Sequence, residues 1–186
     1  MKCLQGHFLV ARGGQLDPNF VQTVILIVDH SDQGALGLVV NRLGDLRSRV
    51  FVGSAGKAGG RRRPLAARLY LGGPVSGPLM AVHTSDWLGE HEVLPGVFFS
   101  ARERNVRALV RRADRPYKIF VGYAGWSAGQ LDNEVEQGVW RIAVATAEQI
   151  FSESDELWQR LSRRAFPLQL HELFDSNDLS INPSFN

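Results

Sequence analysis

Residues 23–42, TVILIVDHSDQGALGLVVNR, decide the fold class. Thr23 to Asp29 is dominated by β-branched side chains (Thr23, Val24, Ile25, Ile27, Val28) with no polar alternation, the pattern of a strand buried on both faces. Ser31-Asp32-Gln33-Gly34 is a turn, and Ala35 to Val40 is the next strand. The spacing predicts an antiparallel hairpin. Gly37, inside the second strand, predicts a bulge or a close backbone approach.

Working outward, Phe8 to Ala11 reads as a first strand and Asp17-Pro18-Asn19 as a turn. Downstream, Leu69 to Leu71, Leu79 to His83, Val97 to Phe99, Lys118 to Val121 and Val139 to Val144 read as short strands. Ser100-Ala101-Arg102-Glu103 matches a capping box, and Val106, Leu109 and Val110 supply one apolar face for a helix through about Arg112. Ser127 to Gln130 is a second capping-box pattern, followed by Leu131 and Val135, with Gly138 in the C′ position. A last helix starts near Ser154, with Asp155 and Glu156 in its first turn and Arg163 and Arg164 in its last. Hairpins early and about three helices late give an α+β pattern, not alternating β-α-β units.

The chain has 186 residues, enough for one domain, placed at 1–166. Its 44% hydrophobic and 22% charged residues exclude disordered and membrane-spanning classes. Residues 44–68 form a glycine-rich basic excursion, and residues 167–186 a tail that turns polar. Cys3 is the single cysteine, which excludes an internal disulfide or a cysteine zinc site. The five histidines lack metal spacing, so neither a metal nor a cofactor is expected. The longest apolar stretch, Val24 to Val28, is too short to cross a bilayer, and no secretory core opens the chain, so no membrane is expected and the cytoplasm is the expected address.

One string invites a catalytic reading. Gly125-Trp126-Ser127-Ala128-Gly129 is a literal G-x-S-x-G after a predicted strand and before a predicted helix. Ser127 with Asp155 and His171, in that order, would make a serine hydrolase. Against it, no upstream oxyanion segment exists, and one earlier helix cannot build the parallel sheet of that fold. Ser127 as a helix N-cap is the preferred reading. The basic cluster Arg47, Arg49, Arg61, Arg62 and Arg63 suggests contact with phosphate backbones, a weaker reading because no aromatic residue lies among residues 57–63. There is no helix-turn-helix pattern, and no helix reads as having a basic face with base-reading side chains.

Several strings together are more specific than any alone: Asp17-Pro18-Asn19-Phe20, Thr23-Val24, His30, the run Gly34 to Arg42, Gly72-Gly73-Pro74-Val75, and GYAGWSAGQL at Gly122 to Leu131. In this order, over about residues 3–161, the chain resembles the YqgE/AlgH family of bacterial proteins. The resemblance implies an α+β fold, with a bifurcated, mostly antiparallel sheet curled into a pseudo-barrel and helices outside. It implies no established enzymatic activity. One branch is linked to transcriptional control, so a regulatory role is implied without a DNA-binding motif. The chain departs from the family pattern at Arg12-Gly13, at Leu43 and at its end. The expected function is a non-catalytic ligand-binding or regulatory module, its partner a small ligand or a protein. The expected cleft joins His30, Asn41, Gly73, Pro74, Tyr123, Gly125, Trp126 and Gln130.

Overall fold

A computed structural model describes residues 3–14, 17–44, 67–152 and 156–164. Most of the 44–68 excursion, with its arginines, and the 167–186 tail lie outside the described residues. Two five-stranded sheets carry the fold. Chain order runs β1 (His7–Ala11), β2 (Val24–Ser31), β3 (Gly34–Val39), β4 (Leu69–Leu71), β5 (Met80–His83), a 3-10 turn (Asp86–Leu88), β6 (His91–Leu94), β7 (Val97–Ser100), α1 (Glu103–Arg112), β8 (Tyr117–Val121), β9 (Ala124–Ser127), α2 (Gln130–Glu136), β10 (Trp140–Val144), α3 (Ala147–Phe151) and α4 (Leu157–Arg164). The first sheet has the order β10-β1-β2-β3-β9, the second β4-β8-β5-β7-β6. Every pair is antiparallel except β4 with β8.

Alternation along each strand builds four layers. Val24, Leu26 and Val28 of β2 face the second sheet, where they meet a shared core with Tyr70, Val82, Phe99 and Phe120. Ile25 and Ile27 face the other way, into a layer with Trp126, Leu131 and Trp140 under α2. On the far side, Val106, Leu109 and Val110 of α1 cover Ala81 and Ile119 of the second sheet. β2 is therefore buried on both faces, as its composition predicts. Ile150, Leu157 and Leu161 bring α3 and α4 onto the shared core.

The bifurcation is visible in the hydrogen bonds. β3 pairs with β9 through Gly37. Beyond it the same strand turns to β4: Val39 N–H donates to Gly72 O at 2.9 Å, Leu71 N–H to Arg42 O at 2.9 Å and Gly44 N–H to Leu69 O at 2.7 Å. A second lacing ties the far ends, where His91 Nε2–H donates to Val28 O at 2.9 Å. Val28 sits at the register shift between Ile27 and Asp29, so the bulge leaves its carbonyl to be satisfied from the other sheet. The sheets fork and face each other without closing into a barrel.

The predicted hairpin, the end of α1 at Arg112 and the role of Gly138 match the structure. Gly138 (φ 70) closes α2 with Val139 N–H on Glu134 O and Gly138 N–H on Val135 O, a Schellman pair. Gly37 allows a close approach, since a Cβ there would meet Ile25 Cγ2 at 2.6 Å and the Trp126 ring at 3.1 Å.

Other expectations need correction. Among the described residues the helices number four, where about three are predicted, and α4 begins at Leu157. The additional helix is α3, closed by a capping box of Thr146 and Gln149. Neither predicted capping box forms. Ser127 ends β9, and the N-cap of α2 is Gly129, at φ 71. Ser100 lies buried inside β7, and the N-cap of α1 is Arg102 without a side-chain bond. The start of α1 is held from a distance instead. Glu90 Oε1 accepts from Ala101 N at 3.1 Å, Arg102 N at 2.8 Å and Asn105 Nδ2 at 3.2 Å. A carboxylate there also suits the helix dipole. Glu90→Ala is expected to cost about 1–2 kcal/mol in urea denaturation, with Glu90→Gln intermediate. Equal stability of all three proteins would refute this role for Glu90.

Candidate functional site

The sequence motifs converge on specific places once the fold is known. The glycine strings sit at the fork. A Cβ on Gly72 would stand 2.3 Å from Gly122 O, one on Gly73 2.2 Å from the Tyr123 carbonyl carbon, and one on Gly122 2.5 Å from Gly73 O. Two backbones cross there with no room for side chains, and Val75 and Tyr123 exchange both backbone hydrogen bonds at 3.0 Å. The Tyr123 ring lies between Gly77 and Gly125, whose added Cβ atoms would be 3.1 and 3.2 Å from it. Pro74 follows on the exposed rim of the same crossing.

His30, Trp126 and Gln130 instead seat α2 on the first sheet. His30 and Trp126 both flank Ala35 across three strands. His30 Nδ1 accepts from Leu4 N at 3.1 Å, and its Nε2 lies 3.7 Å from Asp132 Oδ2. Trp126 and Trp140 both donate their indole N–H to Glu134 Oε2, at 2.9 and 2.8 Å. Gln130 Nε2 donates to Glu134 Oε1 at 2.9 Å. One carboxylate thus gathers three donors from three elements. Ser127 Oγ donates to Gln130 Oε1 at 3.1 Å, and that amide oxygen also takes the Ser127 N–H. Ser127 follows an antiparallel strand, and Asp155 and His171 lie outside the described residues.

Asn41 stands beside the glycine crossing and apart from His30, Trp126 and Gln130, since Val39 N–H reaches Gly72 O and Leu71 N–H reaches Arg42 O on either side of it. It lies beyond β3, about 20 Å along the strand from Ala35 at ~3.3 Å per residue. Of the eight expected cleft residues, Gly73, Pro74, Tyr123 and Gly125 lie at the crossing, His30, Trp126 and Gln130 seat α2, and Asn41 bonds to Val24 and Gln22. Their polar and aromatic groups serve the frame, which spacing in sequence does not reveal.

Around Asn41 a different set comes together. Asn41 Oδ1 accepts from Val24 N at 2.8 Å, and its Nδ2 donates to Gln22 O at 2.9 Å. The amide bridges strand and loop where β2 begins. Arg42 donates to Asn19 O at 2.8 Å and Val21 O at 3.2 Å. Asp17 Oδ1 accepts from Asn19 N at 2.8 Å, an Asx turn, and Thr23 Oγ1 donates to Phe20 O at 2.9 Å. Gln22 is held at φ 54, a left-handed conformation uncommon for a residue with a side chain. Beside this clamp opens a depression of about 300 Å³, lined by Val21, Gln22, Asn41, Arg42, Trp158 and Gln159. Trp158 is fixed by its indole N–H on Ala11 O at 2.8 Å. The lining offers three primary amides, a guanidinium and an indole, and no carboxylate. Of this lining, Asn41 and Arg42 were legible from motif; Trp158 and Gln159 arrive from α4, far along the chain.

A buried serine–histidine contact also exists elsewhere, with its own logic. His83 and Ser100 are both fully buried. Ser85 N–H donates to His83 Nδ1 at 3.2 Å, which leaves the proton on Nε2. That proton goes to Ser100 Oγ at 3.0 Å, and Ser100 Oγ–H donates to Leu88 O at 2.6 Å. The imidazole donates to the hydroxyl and cannot take its proton, so this pair is structural. Burial lowers the His83 pKa from 6.5 to about 4, and the Glu90 carboxylate opposes this only in part. Among the described residues no group of His, Cys, Asp and Glu could hold a metal ion, and no helix is long and apolar enough to cross a membrane.

Comparison with known proteins agrees with this architecture. The chain is 37% identical over 168 residues to a UPF0301 protein of Methylococcus capsulatus, covering 86% of this chain and 90% of that one. It is 33% identical over 165 residues to a UPF0301 protein of Chlorobaculum tepidum, covering 85% and 84%. The solution structure of the AlgH protein from Pseudomonas aeruginosa superposes with a TM-score of 0.71 at 28% identity, covering 95% of this chain and 96% of that one. The AlgH-like family model matches residues 8–167. With the forked sheet, the glycine crossing and the Asn41 clamp in place, this match establishes that the chain belongs to the AlgH-like family, UPF0301.

Proposed function

We propose that the protein is a non-catalytic binding module with a regulatory output, and that a small organic anion occupies the depression beside Asn41 and Arg42. The observation that carries this reading is the convergence of three separated segments on one rigid polar hollow. The loop 17–23, the Asn41-Arg42 pair and α4 each supply part of it, and side-chain bonds to backbone hold it open. Three amides and a guanidinium without a carboxylate favour an acceptor-rich ligand of negative charge. Arg42 spends two bonds on the loop and retains further N–H donors of its planar fork. The reading does not use Ser127, whose hydroxyl is paired with an amide that accepts no proton.

The test is a heteronuclear NMR titration with succinate, citrate and glucose 6-phosphate. At least one anion is expected to shift the side-chain amides of Gln22, Asn41 and Gln159 and the Trp158 indole N–H saturably. Gln159→Glu, at an exposed position, is expected to weaken that binding about 10-fold by like-charge repulsion at short range. Failure of all three anions to move these signals, or binding unchanged by Gln159→Glu, refutes the site.

A further inference from the structure

On the outer face of the second sheet, α1 carries a charge pattern that the depression beside Asn41 does not explain. Residues 102–115 contain six of the 21 basic residues, all arginine, against two acids, Glu103 and Asp114. The apolar Val106, Leu109 and Val110 face the second sheet. At 100° per residue, Arg104 and Arg111 fall on the opposite side of the helix, toward solvent, with Arg107 half-buried on the flank. The sequence predicts no helix with a basic face and base-reading side chains; α1 has the basic face, while its one amide side chain, Asn105, is bonded to Glu90. The apolar face of the helix dominates its sequence pattern, and the arginine stripe emerges once that face is fixed.

A second, independent feature adjoins this stripe. Trp87, in the 3-10 turn before β6, is 52% exposed, and the Arg112 guanidinium lies 4.2 Å from its ring centroid. The other tryptophans are buried or half-buried and give their indole N–H groups to the frame: Trp126 and Trp140 to Glu134, Trp158 to Ala11. Trp87 is the aromatic platform that the sequence alone did not place beside a basic cluster. The acids nearby are Asp86, Glu90, Glu103 and Asp114. Glu90 is committed to the start of α1 and Glu103 to an ion pair with Arg107.

We propose that the solvent face of α1, together with Trp87, is a landing surface for single-stranded nucleic acid. Arg104 and Arg111 are about 10 Å apart along the helix axis at ~1.5 Å per residue, a separation a flexible phosphate backbone can follow. Trp87, braced by Arg112, offers a ring on which one base stacks, the usual partner of a basic track in sequence-tolerant single-strand binding. A duplex fits less well. The helix lies flat on the second sheet, and its single amide side chain, Asn105, is half-buried and bonded to Glu90.

The experiment titrates the full chain with oligothymidylate, following tryptophan fluorescence. Heparin and vesicles of phosphatidylglycerol serve as base-free polyanions. Oligothymidylate is expected to quench Trp87 emission, with a log–log salt slope near −2 for about three phosphate contacts. Trp87→Leu is expected to abolish the quench and weaken binding about 10-fold. The double variant Arg104→Gln/Arg111→Gln, at exposed positions, is expected to weaken binding about 10-fold and flatten the salt slope. No binding of oligothymidylate overturns the proposal. So does equal affinity for heparin or vesicles, which would mean a general anionic or lipid surface. Binding unchanged by the double variant also overturns it, since it would place the contact elsewhere on the chain.

Discussion

Gly73→Ala is expected to cost about 4 kcal/mol or more, a large share of the ~5–15 kcal/mol that holds a typical domain together. At φ 155 the position disfavours any side chain, and an added Cβ would stand 2.2 Å from the Tyr123 carbonyl carbon, 2.3 Å from its oxygen and 2.4 Å from the Ala124 nitrogen. All three neighbours are backbone, so no rotamer change relieves the contact. One of the two crossing segments must retreat, and retreat breaks the reciprocal Val75–Tyr123 bonds. Two controls separate geometry from composition. Gly96→Ala, at φ 76 with nothing within 4 Å, is expected to cost about 1 kcal/mol from backbone strain alone. Gly13→Ala, also with open space around it, is expected to change stability by about 0.5 kcal/mol or less. Urea denaturation of the three variants ranks them. A Gly73→Ala protein as stable as Gly13→Ala would show that the crossing is not tight.

The second large effect is acid sensitivity set by His83. Its folded pKa is about 4 against 6.5 for an unperturbed histidine, because burial disfavours the imidazolium. Between those values the unfolded chain binds a proton that the folded chain refuses, so stability rises with pH there. The contribution is fully present above pH 6.5 and is lost as the pH falls toward 4. The loss is about 3 kcal/mol at ~1.4 kcal/mol per pH unit. The structural reason is burial: His83 lies fully enclosed on β5 between β7 and β8, where a charged ring would lose its water. His83→Gln keeps an amide donor and acceptor but cannot titrate. Denaturation from pH 7 to 4.5 is expected to show a shallower decline for this variant, whatever its stability at neutral pH. Parallel declines in the two proteins would exclude His83 as the source.

Much of the frame was legible because it depends on local pattern. The β-branched run of β2, the apolar face of α1 and the stop at Gly138 each follow from spacing within about one element. What stayed hidden depends on partners distant in sequence. GYAGWSAGQL reads as a loop because glycines depress strand propensity, yet Ala124 to Ser127 form β9, paired to β3. Gly122 and Gly125 answer to close neighbours, a backbone and the Tyr123 ring, and Gly129 to a left-handed φ of 71, not to flexibility. Ser100 and Glu103 have the spacing of a capping box, but the buried polar needs of His83 claim Ser100, and Glu90 takes its place at the helix. Asn41 and Arg42 are recognisable as a motif. Their work as a clamp appears only once Gln22, Asn19 and Val24 stand opposite them. The groove needs α4 as well, and no local pattern in the sequence joins Trp158 to Asn41.

The account rests on the glycine crossing as the joint through which two sheets act as one body. Native-state amide hydrogen exchange measures this directly. The N–H groups of Val39, Gly44, Leu71, Gly72, Val75 and Tyr123 lace the fork. They are expected to exchange with the free energy of global unfolding, together with the centres of β2 and β8. Fork amides exchanging at loop rates, while the two sheets open with separate free energies, would contradict it.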